Sequence, residues 1–180
     1  MPTAYTVGHS TRTLDELVEM LTAHGVQGVA DVRRFAGSRR LPHFNAEHLA
    51  AELPTRGLAY VPCPLLGGRR SPNHDSPNLG WRNASFRAYA DYMQTDAFAR
   101  GLELFMERAN VLPMAMMCAE AVPWRCHRSL IADALLVRGW TVLDVMGRTK
   151  ATPHKLTPFA RVDGTTITYP GDPPLFPPSR

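Results

Sequence analysis

Residues 111–128, VLPMAMMCAEAVPWRCHR, decide the fold of this chain. The apolar run at 111–117 predicts a strand buried in the centre of a sheet. A short loop follows Cys118, and a helix is expected over 125–138, where regularly spaced apolar residues supply one buried face and Gly139 ends the run. A strand joined to a helix by a short loop is the unit from which parallel sheets are built.

The same alternation extends to both sides of this unit. Strands are predicted at 4–7, 26–32, 58–61 and 141–145, and helices over 14–21, 45–53, 86–93 and 98–109. We therefore predict an α/β protein, a single three-layer α/β/α sandwich over 1–170 with a mostly parallel central sheet of about five strands. An Asp-Gly turn predicts a C-terminal hairpin around 159–169, and a proline-rich tail follows at 171–180.

Composition excludes several classes of protein. Hydrophobic residues make up 44% and charged residues 20% of the 180, which excludes a disordered, collagen-like or coiled-coil chain. No apolar run is long enough for a transmembrane helix, and the first ten residues lack the pattern of a signal peptide, so we expect a cytoplasmic protein. Three cysteines without CxxC spacing favour reduced thiols over a disulfide framework.

Basic charge is concentrated in one part of the chain. The formal net charge is only +4, but the segment from 33 to 87 holds nine arginines against three acidic residues. Lysine occurs only at Lys150 and Lys155, a bias that a GC-rich genome would also produce. The local excess predicts an anionic partner, either a phosphate-bearing small molecule or nucleic acid, and no membrane.

The loop after the central strand carries the strongest chemical signal. Cys118 ends the strand, faces a helix start and is flanked by arginines, a setting that favours a thiolate and a bound oxyanion. Phosphatases and sulfurtransferases use a similar loop, although six residues separate Cys118 from Arg125, where tyrosine phosphatases have five. Two alternatives remain open: a buried apolar cysteine, or a small metal site of Cys118, Cys126 and His127.

Three further residues of this loop are candidates. Glu120 suits a general acid or base, or an orienting partner for an arginine, and it would equally suit a helix cap. His127 and Arg128 place positive charge in the first turn of a helix, against the helix dipole, which a bound anion would explain.

Other candidates follow neighbouring predicted strands. His9 and Ser10 follow the first strand, and Asp31 and Arg33 alternate on the second, so both side chains of that pair face one side, as a functional pair or an internal ion pair. Because ligands bind beyond the carboxyl ends of parallel strands, we expect these residues to meet in one basic hollow with Cys118. The remaining members of this predicted anion site are Ser38, Arg39, Gly67, Gly68, Cys126 and either Phe35 or Phe44, the two phenylalanines being candidates for stacking on a base.

A series of short motifs runs in order from residue 5 to about 170. Taken jointly, these motifs resemble the domain of unknown function 488 family. The resemblance implies a compact bacterial or archaeal α/β domain and makes the motif residues the expected site, but it implies no reaction. The motifs are Thr6-Val7-Gly8-His9-Ser10, Asp31-Val32-Arg33 with Ser38, Arg39 and Phe44, Leu66-Gly67-Gly68, 86–93, Cys118-Ala119-Glu120 with Cys126-His127-Arg128, and Thr168-Tyr169-Pro170.

Our leading hypothesis is an enzyme, either a thiol-dependent hydrolase or a transferase, that acts on a nucleotide, a nucleic acid or a modified base. Cys118 would be the nucleophile or redox group, with His9, Glu120 or Asp31 in acid–base roles. Arg33, Arg39 and Arg128 would hold the anion together with the helix N-terminus. The alternative is a nucleic-acid-binding module without catalysis, and the sequence specifies neither a cofactor nor an oligomeric state.

Overall fold

A mixed α/β architecture is seen in the computed structural model, which describes residues 1–172. The strands are β1 (Thr3–Gly8), β2 (Gly28–Asp31), β3 (Ala59–Pro62), β4 (Met114–Cys118), β5 (Thr141–Val145), β6 (Ala151–Pro153), β7 (Arg161–Asp163) and β8 (Thr166–Thr168). The α-helices are α1 (Leu14–Ala23), α2 (Ala46–Thr55), α3 (Ala84–Tyr92), α4 (Asp96–Val111) and α5 (Arg128–Leu136). Three short 3-10 turns lie at Pro42–Phe44, Pro64–Leu66 and Pro123–Arg125.

The central sheet has the strand order β3-β2-β4-β1-β5-β6. Its first five strands are parallel, and β4 is fully buried between β2 and β1, which confirms the prediction for the central strand. The sequence did not predict β6, a three-residue strand that pairs antiparallel with β5 and is too short to show a periodic pattern. The predicted C-terminal hairpin is present as the separate β7–β8 pair.

Helices cover both faces of the sheet, and this confirms the three-layer sandwich. On one face, Leu17 of α1 and Leu49 of α2 pack on β2 and β4 in a fully buried cluster. On the other face, Leu102 of α4 and Leu130 of α5 form a second buried cluster, joined by Tyr89 of α3. Because both faces are covered, a ligand can reach the sheet only at its edges or beyond the ends of its strands.

Local capping explains most of the helix boundaries. Thr13 makes a capping box with Glu16 at the start of α1, and Thr95 caps α4 just after the break that separates it from α3. Asn45 precedes α2 but does not cap it, because its side-chain oxygen accepts a hydrogen bond from the Ser38 N–H at 2.6 Å. The helix expected from 125 begins only at Arg128, since the preceding residues form a 3-10 turn.

Two of the sequence expectations concern regions outside the sheet. Within residues 1–172, no helix combines the length and apolar character needed to cross a bilayer. The proline-rich tail predicted at 171–180 lies outside the described residues from position 173 onward.

A buried network of charged and polar side chains fastens the C-terminal segment to the sheet. His154 donates a hydrogen bond to Asp133 at 2.9 Å, and its other ring nitrogen lies 3.5 Å from Asp144. Tyr169 donates to the second Asp133 oxygen at 2.8 Å, and Thr6 donates to Asp144. Burial alone would lower the pKa of His154, but its bonds to the two carboxylates outweigh burial and raise the pKa to about 9.

This raised pKa predicts that the free energy of unfolding decreases between pH 6.5 and 9.5. Below pH 6.5, His154 is protonated in both folded and unfolded chains, and its stabilisation is complete. Between pH 6.5 and about 9 the unfolded chain has lost this proton while the folded protein still holds it, so about 3 kcal/mol of stability is lost across this range. Urea unfolding at several pH values should show this decrease, and His154→Gln should flatten it. The exposed His48→Gln is the control, and an unchanged slope in His154→Gln would contradict the assignment.

Candidate functional site

A cavity of about 420 Å³ opens at the carboxyl ends of β2 and β4, beside the start of α5. Cys118, Cys126, His127 and Tyr89 are among the residues that line it. Four arginines and a single carboxylate supply its charged groups: Arg33, Arg34, Arg69, Arg125 and Glu120. The cavity therefore combines thiol chemistry with a strong excess of positive charge.

The sulfur atoms of Cys118 and Cys126 are in direct contact, so the two residues form a cysteine pair. The sequence analysis did not predict this contact. The pair forms because the loop after β4 doubles back through the 3-10 turn at Pro123–Arg125 and returns Cys126 to the end of the strand. The spacing of eight positions gave no sign of this, since it is set by the path of the loop.

Arg128 lies behind the cysteine pair, and its side chain is 1% exposed. One terminal nitrogen donates to the Cys118 sulfur at 2.7 Å and to the Glu120 carbonyl oxygen at 2.6 Å; the other donates to the Ala121 carbonyl oxygen. Within residues 1–172, no carboxylate forms an ion pair with Arg128, and its Nε has no partner. Burial lowers the pKa of Arg128 to about 10, against the opposing effect of Asp144 and Glu120, so the group stays charged at neutral pH.

Arg128 is not among the residues that line the cavity, although it was predicted to hold an anion there. Its guanidinium instead contacts the sulfur of Cys118. The nearly complete burial of an arginine could not be foreseen from its position at the start of a helix, where a charged side chain is ordinarily solvated.

The His127 ring has a defined orientation and no charge at neutral pH. Its Nε2 donates to the Val32 carbonyl oxygen at 2.8 Å, which leaves Nδ1 as an acceptor 3.6 Å from the Cys126 sulfur. Burial lowers the pKa of His127 to about 4, with the nearby charge of Arg128 acting in the same direction. His127 is therefore not one of the cations that the sequence analysis expected to hold an anion.

The start of α5 also differs from the expected anion cradle. The first-turn N–H groups already have acceptors: Ser129 donates to the Cys126 carbonyl oxygen and Leu130 to that of His127. The Arg128 N–H points to the Cys126 sulfur at 3.5 Å. Positive potential in the cavity thus comes mainly from arginine side chains.

Three of those arginines were missed as site residues by the sequence analysis. Arg34, Arg69 and Arg125 are exposed and line the cavity, and Arg34 donates to the Arg69 carbonyl oxygen at 2.7 Å. Arg69 adopts a φ of 56°, a left-handed conformation that non-glycine residues seldom take. The available signal was their position next to residues already selected, since Arg34 follows Arg33 and Arg69 follows Gly68.

A second polar cluster occupies the opposite face of the sheet. Asp31 accepts two hydrogen bonds from the Arg33 guanidinium, at 2.8 and 2.7 Å, and a third from the Tyr60 hydroxyl at 2.6 Å. The prediction that Asp31 and Arg33 face one side is confirmed. Burial would lower the pKa of Arg33, but the bonds and charge of Asp31 outweigh it and raise the pKa. Asp31 is thus held in an internal ion pair.

His9 belongs to this second cluster. Its ring stacks on Phe44 with centroids 4.2 Å apart, its Nδ1 donates to the Ser10 carbonyl oxygen, and its Nε2 accepts from Arg33 at 3.3 Å. Burial lowers the pKa of His9, and Arg33 adds to the effect. Phe44 has no exposed surface, so it cannot stack on a ligand in this structure. Phe35, which is 63% exposed and lines the cavity, is the phenylalanine placed to do so.

The remaining predicted residues mainly shape the backbone around the cavity. The Ser38 hydroxyl accepts from two N–H groups of its own loop, and Arg39 is exposed but does not line the cavity. A side chain at Gly67 would collide with the Arg34 backbone, and one at Gly68 would meet the His127 ring. The Ser10 N–H donates to the Ala119 carbonyl oxygen and so connects the end of β1 to the loop that follows Cys118.

The predicted single hollow is thus two adjacent clusters at one edge of the sheet. Asp31 is in register with Met117, and the fully buried side chain of Met117 packs in the cluster on the α1 and α2 side. Cys118 is the next residue along β4, so its side chain points to the other face. Arg33 is the link, because it pairs with Asp31 and also lines the cavity beside Cys118.

No group of three or more His, Cys, Asp or Glu side chains in residues 1–172 is arranged to hold a metal ion. Cys118, Cys126 and His127, the residues of the hypothetical metal site, have other contacts. The two sulfurs contact each other, and His127 Nε2 is occupied by the Val32 carbonyl oxygen.

Fold and cavity together define an α/β sandwich protein with a basic, cysteine-containing pocket at the carboxyl edge of its sheet. The family model described as Domain of unknown function DUF488 matches residues 13–135, so the chain belongs to this family. The match covers β2, β4 and most of α5, but not the Gly8-His9-Ser10 or Thr168-Tyr169-Pro170 motifs. The comparisons with curated proteins and with solved structures gave no match.

A substitution at Gly8 tests how closely β1 must approach the loop that follows Cys118. A Cβ at this position would overlap the Glu120 carbonyl oxygen and crowd Ala121, both backbone groups that cannot rotate away. We expect Gly8→Ala to lower the free energy of unfolding by about 3 kcal/mol, measured by urea denaturation. Gly37→Ala is the matched control, since a Cβ there meets nothing within 4 Å, and it should change stability by less than about 0.5 kcal/mol. Equal stabilities of the two variants would contradict the packing described.

Proposed function

We propose that this protein is an enzyme that acts on a phosphate-bearing substrate, such as a nucleotide, a nucleic acid or a modified base, through the thiolate of Cys118. The contact between the buried Arg128 guanidinium and the Cys118 sulfur carries this proposal. The reaction class that fits a thiolate beside an anion site is hydrolysis or group transfer with a covalent intermediate on sulfur.

The argument for the thiolate starts from the charge of Arg128. A guanidinium removed from water is costly unless an anion compensates it. In the described part of the chain, Arg128 has carbonyl oxygens and the Cys118 sulfur as partners, and no carboxylate. When the cysteine pair is reduced, ionisation of Cys118 supplies the missing negative charge. Arg128 therefore stabilises the thiolate, which is the nucleophilic form of cysteine.

The argument for a phosphate-bearing substrate rests on where the arginines lie. Arg34, Arg69 and Arg125 come from three different segments and line one cavity together with Cys118. Guanidinium groups bind phosphate oxygens through paired hydrogen bonds, and several around one cavity suit a phosphate better than a neutral ligand. The cavity volume of about 420 Å³ is within the range of small-molecule sites and suits a nucleotide-sized group.

Among the predicted proton carriers, Glu120 has the most suitable position. It is exposed and lines the cavity, two residues after Cys118. Asp31 already accepts three side-chain hydrogen bonds, and the ring of His9 packs on the opposite face of the sheet. We therefore assign proton transfer to Glu120, and to His9 and Asp31 the role of holding Arg33 at the cavity.

Turnover measurements on cysteine variants test the proposal. Reduced protein is incubated with a panel of mononucleotides, phosphate esters and short single-stranded oligonucleotides, and products are followed by mass spectrometry. Cys118→Ser and Cys118→Ala should abolish turnover while leaving substrate binding unchanged, because the arginines remain. Cys63→Ser is the matched control, since burial raises the pKa of that thiol to about 11 and keeps it protonated. Unchanged turnover in both Cys118 variants would remove Cys118 from the mechanism.

A binding module without catalysis is the alternative outcome, and arginine variants distinguish it. For the proposed enzyme, Arg34→Ala, Arg69→Ala and Arg125→Ala should each weaken binding of a labelled mononucleotide, while Arg100→Ala, an exposed arginine on α4, should not. A pure nucleic-acid binder would show no turnover. It would bind oligonucleotides with an affinity that falls steeply with salt, and it would not bind mononucleotides.

A further inference from the structure

We propose that Cys126 is the resolving cysteine for a reversible oxidation of Cys118 by hydrogen peroxide, which makes this pair a redox modification site within the pocket. The inference rests on the proposed function only in sharing the Cys118 thiolate. Three features carry it. The two sulfurs are in contact, the Arg128 guanidinium lies behind the Cys118 sulfur, and a His127 ring nitrogen lies beside the Cys126 sulfur.

The two cysteines have different surroundings, and these assign their roles. Cys118 has the charged Arg128 at 2.7 Å and so is the sulfur that ionises and reacts first. Among residues 1–172, no guanidinium bonds to Cys126; its neighbours are the Nδ1 of His127 at 3.6 Å and the Arg128 N–H at 3.5 Å. Both residues line the cavity, although only 3% of Cys118 and 4% of Cys126 is exposed.

The orientation of His127 gives it a part in the second step. Its Nε2 is committed to the Val32 carbonyl oxygen, and Gly68 packs against the ring so closely that a Cβ there would stand 2.9 Å from Nδ1. The ring is thus held with the lone pair of Nδ1 toward Cys126. This nitrogen lies 3.6 Å from the Cys126 sulfur and can accept a hydrogen bond from the thiol, which keeps that sulfur directed toward Cys118.

The chemistry proceeds in two balanced steps. The Cys118 thiolate attacks one peroxide oxygen, the O–O bond breaks, and hydroxide leaves; sulfur loses two electrons and becomes a sulfenic acid. The Cys126 sulfur then attacks the Cys118 sulfur, an S–S bond forms, and the S–O bond breaks. The proton of Cys126 and the hydroxide displaced from Cys118 leave together as one molecule of water. An external dithiol returns the two electrons and restores both thiols.

For the proposed enzyme, the disulfide would protect Cys118 reversibly from further oxidation. While the disulfide is present, Cys118 cannot act as a nucleophile, and the charge of Arg128 has no thiolate opposite it. Without a resolving partner, a sulfenic acid proceeds under further peroxide to sulfinic and sulfonic acids, which dithiols do not reduce.

The test uses the full chain carrying Cys63→Ser, so that only the two pocket cysteines react. After equimolar hydrogen peroxide, intact-mass measurement should show the loss of two hydrogens per chain, reversed completely by dithiothreitol. Adding Cys126→Ser should instead give a sulfenic acid at Cys118 that a dimedone probe captures, and excess peroxide should convert it to acids that dithiothreitol does not reverse. His127→Gln should slow disulfide formation severalfold, because Cys126 loses the contact that directs it, and leave the first oxidation unchanged.

Two results would overturn the inference. One is a chain that retains both thiols, or accumulates sulfenic acid, with Cys126 present. The other is an equally reversible oxidation in the Cys126→Ser variant. Neither result measures turnover by the reduced enzyme, which the Cys118 variants test separately. If the disulfide forms as expected but the Cys118 variants keep full turnover, the proposed function is rejected and the redox inference is retained.

Discussion

The contact between the Arg128 guanidinium and the Cys118 sulfur is the interaction on which the functional account depends. A nearly fully buried arginine without a carboxylate partner in the described residues is uncommon, because the interior of a protein stabilises a charge poorly. The fold tolerates it at the end of the central strand, where two backbone carbonyl oxygens and one sulfur surround the group. The buried charge thereby becomes a permanent electrostatic influence on a single thiol.

The alternation of side chains along β2 and β4 divides the polar residues between two faces. Register places Asp31 beside Met117, so the Asp31–Arg33–His9 cluster and the cysteine pair lie back to back. Arg33 reaches both environments, and the cluster behind it limits how far it can move. Stacking of His9 on Phe44 and the Tyr60 hydroxyl bond complete this support. The cavity is thus lined by Arg33 and Arg34 after β2, and by Cys118, Cys126 and Arg125 between β4 and α5.

Much of this architecture could be predicted from local patterns. The apolar run before Cys118 and the strand–helix alternation were sufficient for the central strand and the layers, and Thr95 marked the start of α4. The pairing of Cys118 with Cys126 could not be predicted, because it depends on the path of the loop between them. Burial of Arg128 and Phe44 also depends on tertiary packing. Sequence position placed the candidate residues at the carboxyl ends of the strands, but it did not show which side chains turn inward and which face the cavity.

The most direct measurement is the pH dependence of alkylation at Cys118. Reduced protein is treated with iodoacetamide between pH 5 and 10, and the modified cysteine is identified by peptide mass mapping. The account predicts that Cys118 reacts with a midpoint near or below pH 7, under the influence of Arg128, and that Arg128→Met shifts this midpoint upward toward the value of about 8.5 for a free thiol. A midpoint at or above that of a free thiol in the unsubstituted protein, unaffected by Arg128→Met, would contradict it.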